Sequence, residues 1–312
     1  MAPANRKQPA RAASSDSLYS LMEFLREFPD DDACLVYLWR TRYSPDGEHA
    51  ECPRCTAVRP FKRYATAQQR QSWTCTGCGH HIQPTAGTIF AKSSTSLHLW
   101  FYAMYLMTST RCGISAKQLE RDLGVTYKTA WRIMKQIRSV LGDDSRGPLS
   151  GEVEMDETYF APSKRVHDVR DRKRRTHMER VVWGAVERQG RIVVRHVKAA
   201  DSLALMHEAQ THILPESTVF TDEHLAYKQL GRRGYVHHRI KHSAKVYVEG
   251  EVHTQTIEGF WSLLKRGLGG VYHAVGAKYL QSYLDEYAWR YNHREDGRAM
   301  FLTLIERAAF AA

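Results

Sequence analysis

Apolar positions along the chain recur first at helical spacing, then at strand spacing, then at helical spacing again. Leu21, Phe24, Leu25 and Phe28 fall three or four apart, which predicts helix within 18–42, interrupted at Pro29. Leu99–Met107 is an apolar helix pattern. Ser115–Gly124 reads as a helix that ends at its glycine, with Ser115 three residues before Gln118 at capping-box spacing. Val125 and Thr126 make a turn, and Tyr127–Arg138 is a second helix. Helix, glycine-containing turn and helix is the helix-turn-helix signature. Such a motif presents its second helix to the DNA major groove. Lys128, Thr129, Arg132 and Lys135 then face outward, while Ala130, Ile133, Met134 and Ile137 pack inward. The same pattern also describes any helical hairpin with a solvated basic face.

The polar run 142–148, with Gly142, Gly147 and Pro148, breaks this pattern and marks the best boundary. Beyond it, Val153–Phe160 reads as a strand. Val181–Glu187 and Ile192–Val197 read as a hairpin turning at Gln189-Gly190. Leu203–Leu214 is helical and stops at Pro215; Ser217–Phe220 is a short strand, and Tyr235–Ile240 is a further strand candidate. From about Thr256 the pattern is helical to near the end. The layout is mixed α/β. Its expected segments are an arm at 1–15, a helical lead-in with a Cys-rich ribbon at 16–95, a helix-turn-helix segment at 96–145, and an α/β domain at 149–305.

Charge narrows the class of partner. Forty-five Lys and Arg stand against 34 Asp and Glu, a net charge of +11, and 43% of residues are hydrophobic. Such a chain can bury a core, and its basic excess suits a polyanion. Solubility alone also favours net charge, so the DNA reading needs motifs. With no run of 18 apolar residues, no membrane partner is expected. The polar, basic N-terminus lacks the apolar core of a secretory signal. The expected location is the cytoplasm of a prokaryotic cell, with the nucleoid.

Four of the six cysteines form two pairs, Cys52/Cys55 and Cys75/Cys78, with 19 residues (56 through 74) between the pairs. Each CxxC aims two thiolates at one point, and two such knuckles complete a tetrahedral zinc site. Four sulfurs fill the coordination sphere, so the expected Zn²⁺ is structural. His80 and His81, which follow, read as surface or turn histidines.

Three acids stand out after the boundary. In Glu152–Phe160, alternation puts Val153 and Met155 on one face and Glu152, Glu154 and Asp156 on the other. Asp222 follows the short strand at a position where α/β sheets collect their sites. Taken singly, each is more often an ordinary turn or N-cap residue. The helix from Thr256 stripes Ile257, Trp261, Leu264 and Leu268 along one side. Glu258 and Lys265, seven apart, lie only about 20° from each other around its axis. Thirty-five residues (223 through 257) separate Asp222 from Glu258, and 65 (157 through 221) separate Asp156 from Asp222.

A strand Asp, a strand-end Asp, 35 residues and a helical Glu with a basic residue seven later resembles the DDE transposase and retroviral-integrase superfamily. The wording Met155-Asp-Glu-Thr-Tyr159, Phe220-Thr-Asp222 and His253-Thr-Gln-Thr-Ile-Glu-Gly-Phe-Trp-Ser-Leu-Leu-Lys265 is similar to the zinc-ribbon insertion-sequence transposases of the ISXO type. Ribbon, helix-turn-helix and catalytic core follow in that group's order, from about Phe24 to Ala309. The chain departs at Gln255, where the group commonly has Asn, which leaves open whether Gln255 or Glu258 completes the active site. A carboxylate binds Mg²⁺ better than an amide does, which favours Glu258.

The resemblance implies an RNase H-like mixed sheet in 149–305 and phosphodiester chemistry with Mg²⁺ or Mn²⁺. Asp156 would bridge two metals, with Asp222 and Glu258 each completing one, and Lys265 would contact a phosphate near the element's end. Metals about 3.5–4 Å apart can stabilise both the attacking and the leaving oxygen. Clustered carboxylates repel, so at least one should hold its proton more tightly without metal. Cleavage at an insertion-sequence end and strand transfer into target DNA would follow, carried out by a homo-oligomer holding two ends. The basic run with Arg172, Lys173, Arg174 and Arg175 could clamp phosphates, although such runs are usually just solvated. Two other readings stay open: a catalytically idle DNA-binding regulator, and an RNase H-like nuclease that cuts without joining.

Overall fold

The computed structural model describes residues 19–65, 71–110, 112–142, 146–160, 180–239, 254–296 and 299–311. The expected arm at 1–15 and the run with Arg172, Lys173, Arg174 and Arg175 lie outside the described residues. The fold is mixed α/β with two sheets. Contacts divide the chain into two compact units. One gathers the described parts of Met1–Arg111, Ala116–Val140 and Asp296–Ala312, and the other those of Cys112–Ser115 and Leu141–Glu295.

The first unit opens with helices α1 (Leu21–Glu27) and α2 (Asp31–Arg42). A capping box of Ser20 and Glu23 starts α1. The chain then breaks at Phe28-Pro29 and restarts where Asp30 caps the Ala33 N–H at 2.9 Å. Four antiparallel strands follow in sequential order: β1 (His49–Cys52), β2 (Ala57–Ala65), β3 (Gln71–Cys75) and β4 (His81–Ile82). Then come α3 (Leu97–Ser109), α4 (Ala116–Leu123) and α5 (Tyr127–Ser139). Between α4 and α5 the chain reverses at Gly124, whose φ of +63° suits glycine, and Thr126 caps the Thr129 N–H at 3.3 Å.

The second unit holds β5 (Glu152–Phe160), β6 (Arg180–Glu187), β7 (Ile192–Val197), α6 (Ser202–His212), β8 (Thr218–Thr221), a 3-10 segment (Leu225–Arg233), β9 (Val236–Arg239), α7 (Gln255–Gly270) and α8 (Ala277–Asn292). Its sheet has the order β7-β6-β5-β8-β9. The β5–β6 and β6–β7 pairs are antiparallel; β8 runs parallel to β5, and β9 parallel to β8. Both faces of β6 are buried. Val181, Trp183 and Ala185 join a core with Val153, Met155, Leu205 and Tyr227. Val182 and Val186 join another with Ile257, Trp261, Leu264 and Leu284.

The last helix is α9 (Met300–Phe310). It clusters with the first unit. Phe301 explains the return: it is buried against Phe24, Phe28 and Tyr105, with ring centroids 5.4, 5.8 and 5.9 Å away. Aromatic contacts of this kind add to the area they bury, and helical periodicity says nothing of which core a helix joins.

Candidate functional site

Asp156 sits in β5 opposite Gly184 of β6. A Cβ at Gly184 would lie 2.6 Å from the Trp261 ring, so glycine is what lets α7 approach the sheet here. The indole Nε1–H of Trp261 then donates to Asp156 Oδ2 at 2.9 Å. The expected stripe Ile257, Trp261, Leu264 and Leu268 is buried and holds α7 in this register. Glu258 and Lys265 stay exposed on the same helix. Thr254 Oγ1 donates to Glu258 Oε1 at 3.0 Å.

Asp222 follows β8, and its Oδ1 accepts from the His224 N–H at 2.9 Å. Asp156 feels the charge of Asp222. Burial pushes the Asp156 carboxyl up to about 7; Glu157 and Asp222 add to the rise, and the Trp261 bond opposes it. Burial is thus the main cause of the rise, and its strongest charged contributor is Glu157, which pattern reading did not single out. Burial likewise raises the Glu157 carboxyl. Glu157 accepts a hydrogen bond from the buried Tyr227 hydroxyl, and His224 Nε2 lies 3.7 Å from Glu157 Oε1. An Asp-Glu pair in the middle of β5, with a His two residues after Asp222, was the available signal.

Glu258 belongs to the helix that touches Asp156 but does not close the group. Among the described residues, only the four cysteines bring three or more ligand atoms within 4.8 Å of one another. The donor chemistry of the acid site nonetheless fits a hard divalent cation: Asp156 and Asp222 offer half-buried carboxylate oxygens, and the charge of Asp222 acts on Asp156.

In the first unit, Cys52 and Cys78 approach to 3.6 Å between sulfurs, and Cys55 and Cys75 to 3.9 Å. Tetrahedral zinc with bonds of about 2.3 Å requires sulfurs about 3.8 Å apart. Desolvation raises the Cys52 thiol, but the backbone N–H groups of Cys55 and Arg54 and the Cys78 thiol hold it down at about 7. Cys78 pushes Cys55 up to about 12. One thiol thus ionises readily while its neighbour resists. On α5, Ala130, Ile133, Met134 and Ile137 are fully buried. Lys128, Arg132 and Lys135 are exposed and Thr129 is half-buried. Arg132 Nη2 donates to Thr95 Oγ1 at 3.0 Å.

The model of the ISXO2-like transposase domain matches residues 148–292, a span that holds all three acids and Lys265. An uncharacterized transposase-like protein of Haemophilus influenzae is 31% identical over 104 residues, which cover 80% of that protein and 33% of this chain. The chain belongs to the ISXO2-like transposases. An uncharacterized protein in transposable element ISH50 of Halobacterium salinarum is 29% identical over 274 residues, 82% of this chain and 90% of that protein. Its similarity therefore reaches well beyond the transposase domain. Within this transposase the zinc-type cysteine cluster lies outside the 148–292 match, in a unit with its own core. Gln255, the departure noted above, is the exposed first residue of α7.

Proposed function

We propose that this transposase binds the ends of its insertion sequence, cleaves there and joins the freed ends to target DNA, using divalent metal held by Asp156, Asp222 and Glu258. The observation that carries the reading is the contact between Trp261 on α7 and Asp156 on β5, in the field of Asp222. It sets the helix bearing Glu258 against the strand bearing the first acid. The sheet order, three antiparallel strands continued by two parallel ones, supports an RNase H-like core.

Bound at the acids, Mg²⁺ or Mn²⁺ would supply positive charge to the attacking and leaving oxygens of the phosphodiester. Trp261 fixes the orientation of the Asp156 carboxylate, and Asp222 is oriented by the His224 backbone. Lys265, exposed two turns along α7 from Glu258, is assigned to a DNA phosphate. Lys128, Thr129, Arg132 and Lys135 are assigned to DNA as the outer face of a helix-turn-helix at α4–α5. Arg172, Lys173, Arg174 and Arg175 are proposed as phosphate contacts on sequence grounds. The four cysteines are assigned to one structural zinc. Among the described residues no helix is long and apolar enough to cross a membrane. We assign the enzyme to the nucleoid, as a homo-oligomer on DNA.

Strand transfer of a labelled element end into plasmid, with Mg²⁺ or Mn²⁺, tests the reading beside Glu258→Gln and Gln255→Ala. Joining by wild type that vanishes in Glu258→Gln is expected. Joining that survives Glu258→Gln and dies in Gln255→Ala moves the third site to the amide. Cutting without joining makes the protein a nuclease, and binding without chemistry makes it a regulator.

A further inference from the structure

Glu154 is fully buried, although it is a carboxylate two residues before Asp156 on the same face of β5. Burial of such a charge needs partners. Its Oε2 accepts from the backbone N–H groups of Thr256 and Ile257 at 2.8 and 3.1 Å, and its Oε1 accepts from Thr256 Oγ1 at 3.0 Å. The N-terminus of α7 is therefore held by a side chain from the sheet. Its own cap residue, Thr254, makes no side-chain cap bond.

Arg188 supplies the counter-charge, with Nε 3.2 Å from Glu154 Oε1 and its side chain 14% exposed. Its guanidinium also lies over the Phe220 ring, 4.0 Å from the centroid, and Nη1 reaches Glu152 at 3.1 Å. Phe220 is the direct parallel partner of Glu154 across β5 and β8. One ion pair thus touches the strand of Asp156, the helix of Glu258 and the strand that leads into Asp222. Each acid stands two residues from a contact: Asp156 from Glu154, Asp222 from Phe220, and Glu258 from Thr256.

We infer that the Glu154–Arg188 pair is a positioning device that sets the spacing of Asp156, Asp222 and Glu258 for divalent metal. The inference rests on the metal-site reading proposed above. With its oxygens taken up by Thr256 and Ile257, Glu154 acts through β5 and the first turn of α7. Groups that orient metal ligands from behind typically govern affinity by roughly 10–100-fold.

The test is Mn²⁺ binding to the purified, zinc-loaded chain, followed by loss of the free Mn²⁺ paramagnetic resonance signal. Wild type, Asp156→Asn, Glu154→Gln and Thr256→Val are compared, with zinc content and circular dichroism as checks of fold. Glu154→Gln is expected to raise the dissociation constant of the Asp156-dependent site by roughly 10–100-fold. Thr256→Val, which removes one donor and keeps the shape, shifts it the same way by less. It carries the test alone if Glu154→Gln does not fold. Unchanged constants in both variants overturn the inference, as does a reduced amount of bound Mn²⁺ at an unchanged midpoint, the mark of a purely folding role. Equal binding by wild type and Asp156→Asn has a different signature: it removes the metal-site reading, and the inference falls with it.

Discussion

Trp261 donates its indole N–H to Asp156 across 2.9 Å, and it reaches that carboxylate because residue 184 is a glycine. A methyl group there would meet ring atoms Cη2 and Cζ2 of Trp261 at 2.6 and 2.7 Å. Gly184→Ala is expected to cost roughly 1–3 kcal/mol, as overpacking of a filled core does. The cost should shrink in a Trp261→Leu background, because the two changes share one space. Urea unfolding of the four proteins checks this; strictly additive effects reject the close approach as the cause.

Without divalent metal, the Asp156 carboxyl keeps its proton to about pH 7 in the fold, whereas its ordinary value is 3.8. Between those limits the folded state binds more protons than the unfolded chain. Stability is therefore lost as pH rises from about 4 to about 7, by roughly 1.4 kcal/mol per pH unit for one such carboxyl. Asp156→Asn removes this term. The stability of the variant relative to wild type should rise across that window and level off above it. A relative stability independent of pH, measured by denaturant unfolding at each pH, refutes the assignment.

His237 runs the other way. Burial first, then the charges of Arg239 and His238, lowers its imidazole to about 4, and its Nε2 lies 2.9 Å from Thr221 Oγ1. A histidine kept neutral in the fold destabilises it once pH falls below its ordinary 6.5, progressively to about 4. His237→Gln should flatten the acid limb of the stability profile between those values. An unaltered acid limb would count against it.

Removal of zinc should unfold the β1–β4 sheet, since the ligand set forms only when that sheet does. Trp73 of that sheet stacks on Trp39 of α2 with centroids 4.8 Å apart, so their near-ultraviolet dichroism reports the loss. Cys75→Ser should reproduce the effect of a chelator. Retention of the tryptophan signal after both treatments would mean that the metal is dispensable for this sheet.

If α5 meets DNA phosphates, Lys128→Ala and Arg132→Ala should each flatten the dependence of log affinity on log salt by about 0.9. Fluorescence anisotropy with duplex DNA at several salt concentrations measures the slope. Slopes equal to wild type in both variants would leave this face as ordinary solvated surface.

Much of the architecture was legible along the chain because it is local. Capping residues, Pro29, Gly124 and the alternation in β5 act within a few neighbours, and the observed elements follow them closely. The two CxxC pairs were legible because a thiolate knuckle is itself a local structure. The assignment of Asp156, Asp222 and Glu258 to one metal site, proposed above, rests in the sequence only on a spacing and a resemblance. The involvement of Glu157, the Glu154–Arg188 pair and the homing of α9 were not, because each depends on partners remote in sequence.

The sequence by itself determined which segments become helix or strand, which faces are apolar, and that four sulfurs are available to one metal. Tertiary structure decided the rest. It brought Asp156 into the field of Asp222, pressed Trp261 onto the gap at Gly184, and made Glu154, which alternation places only on the acidic face of β5, a buried anchor for α7. The physical reason is that a side chain's neighbours across a sheet set its solvation and charge, and strand order and register choose those neighbours. Periodicity encodes which way a residue faces; only packing establishes what it faces.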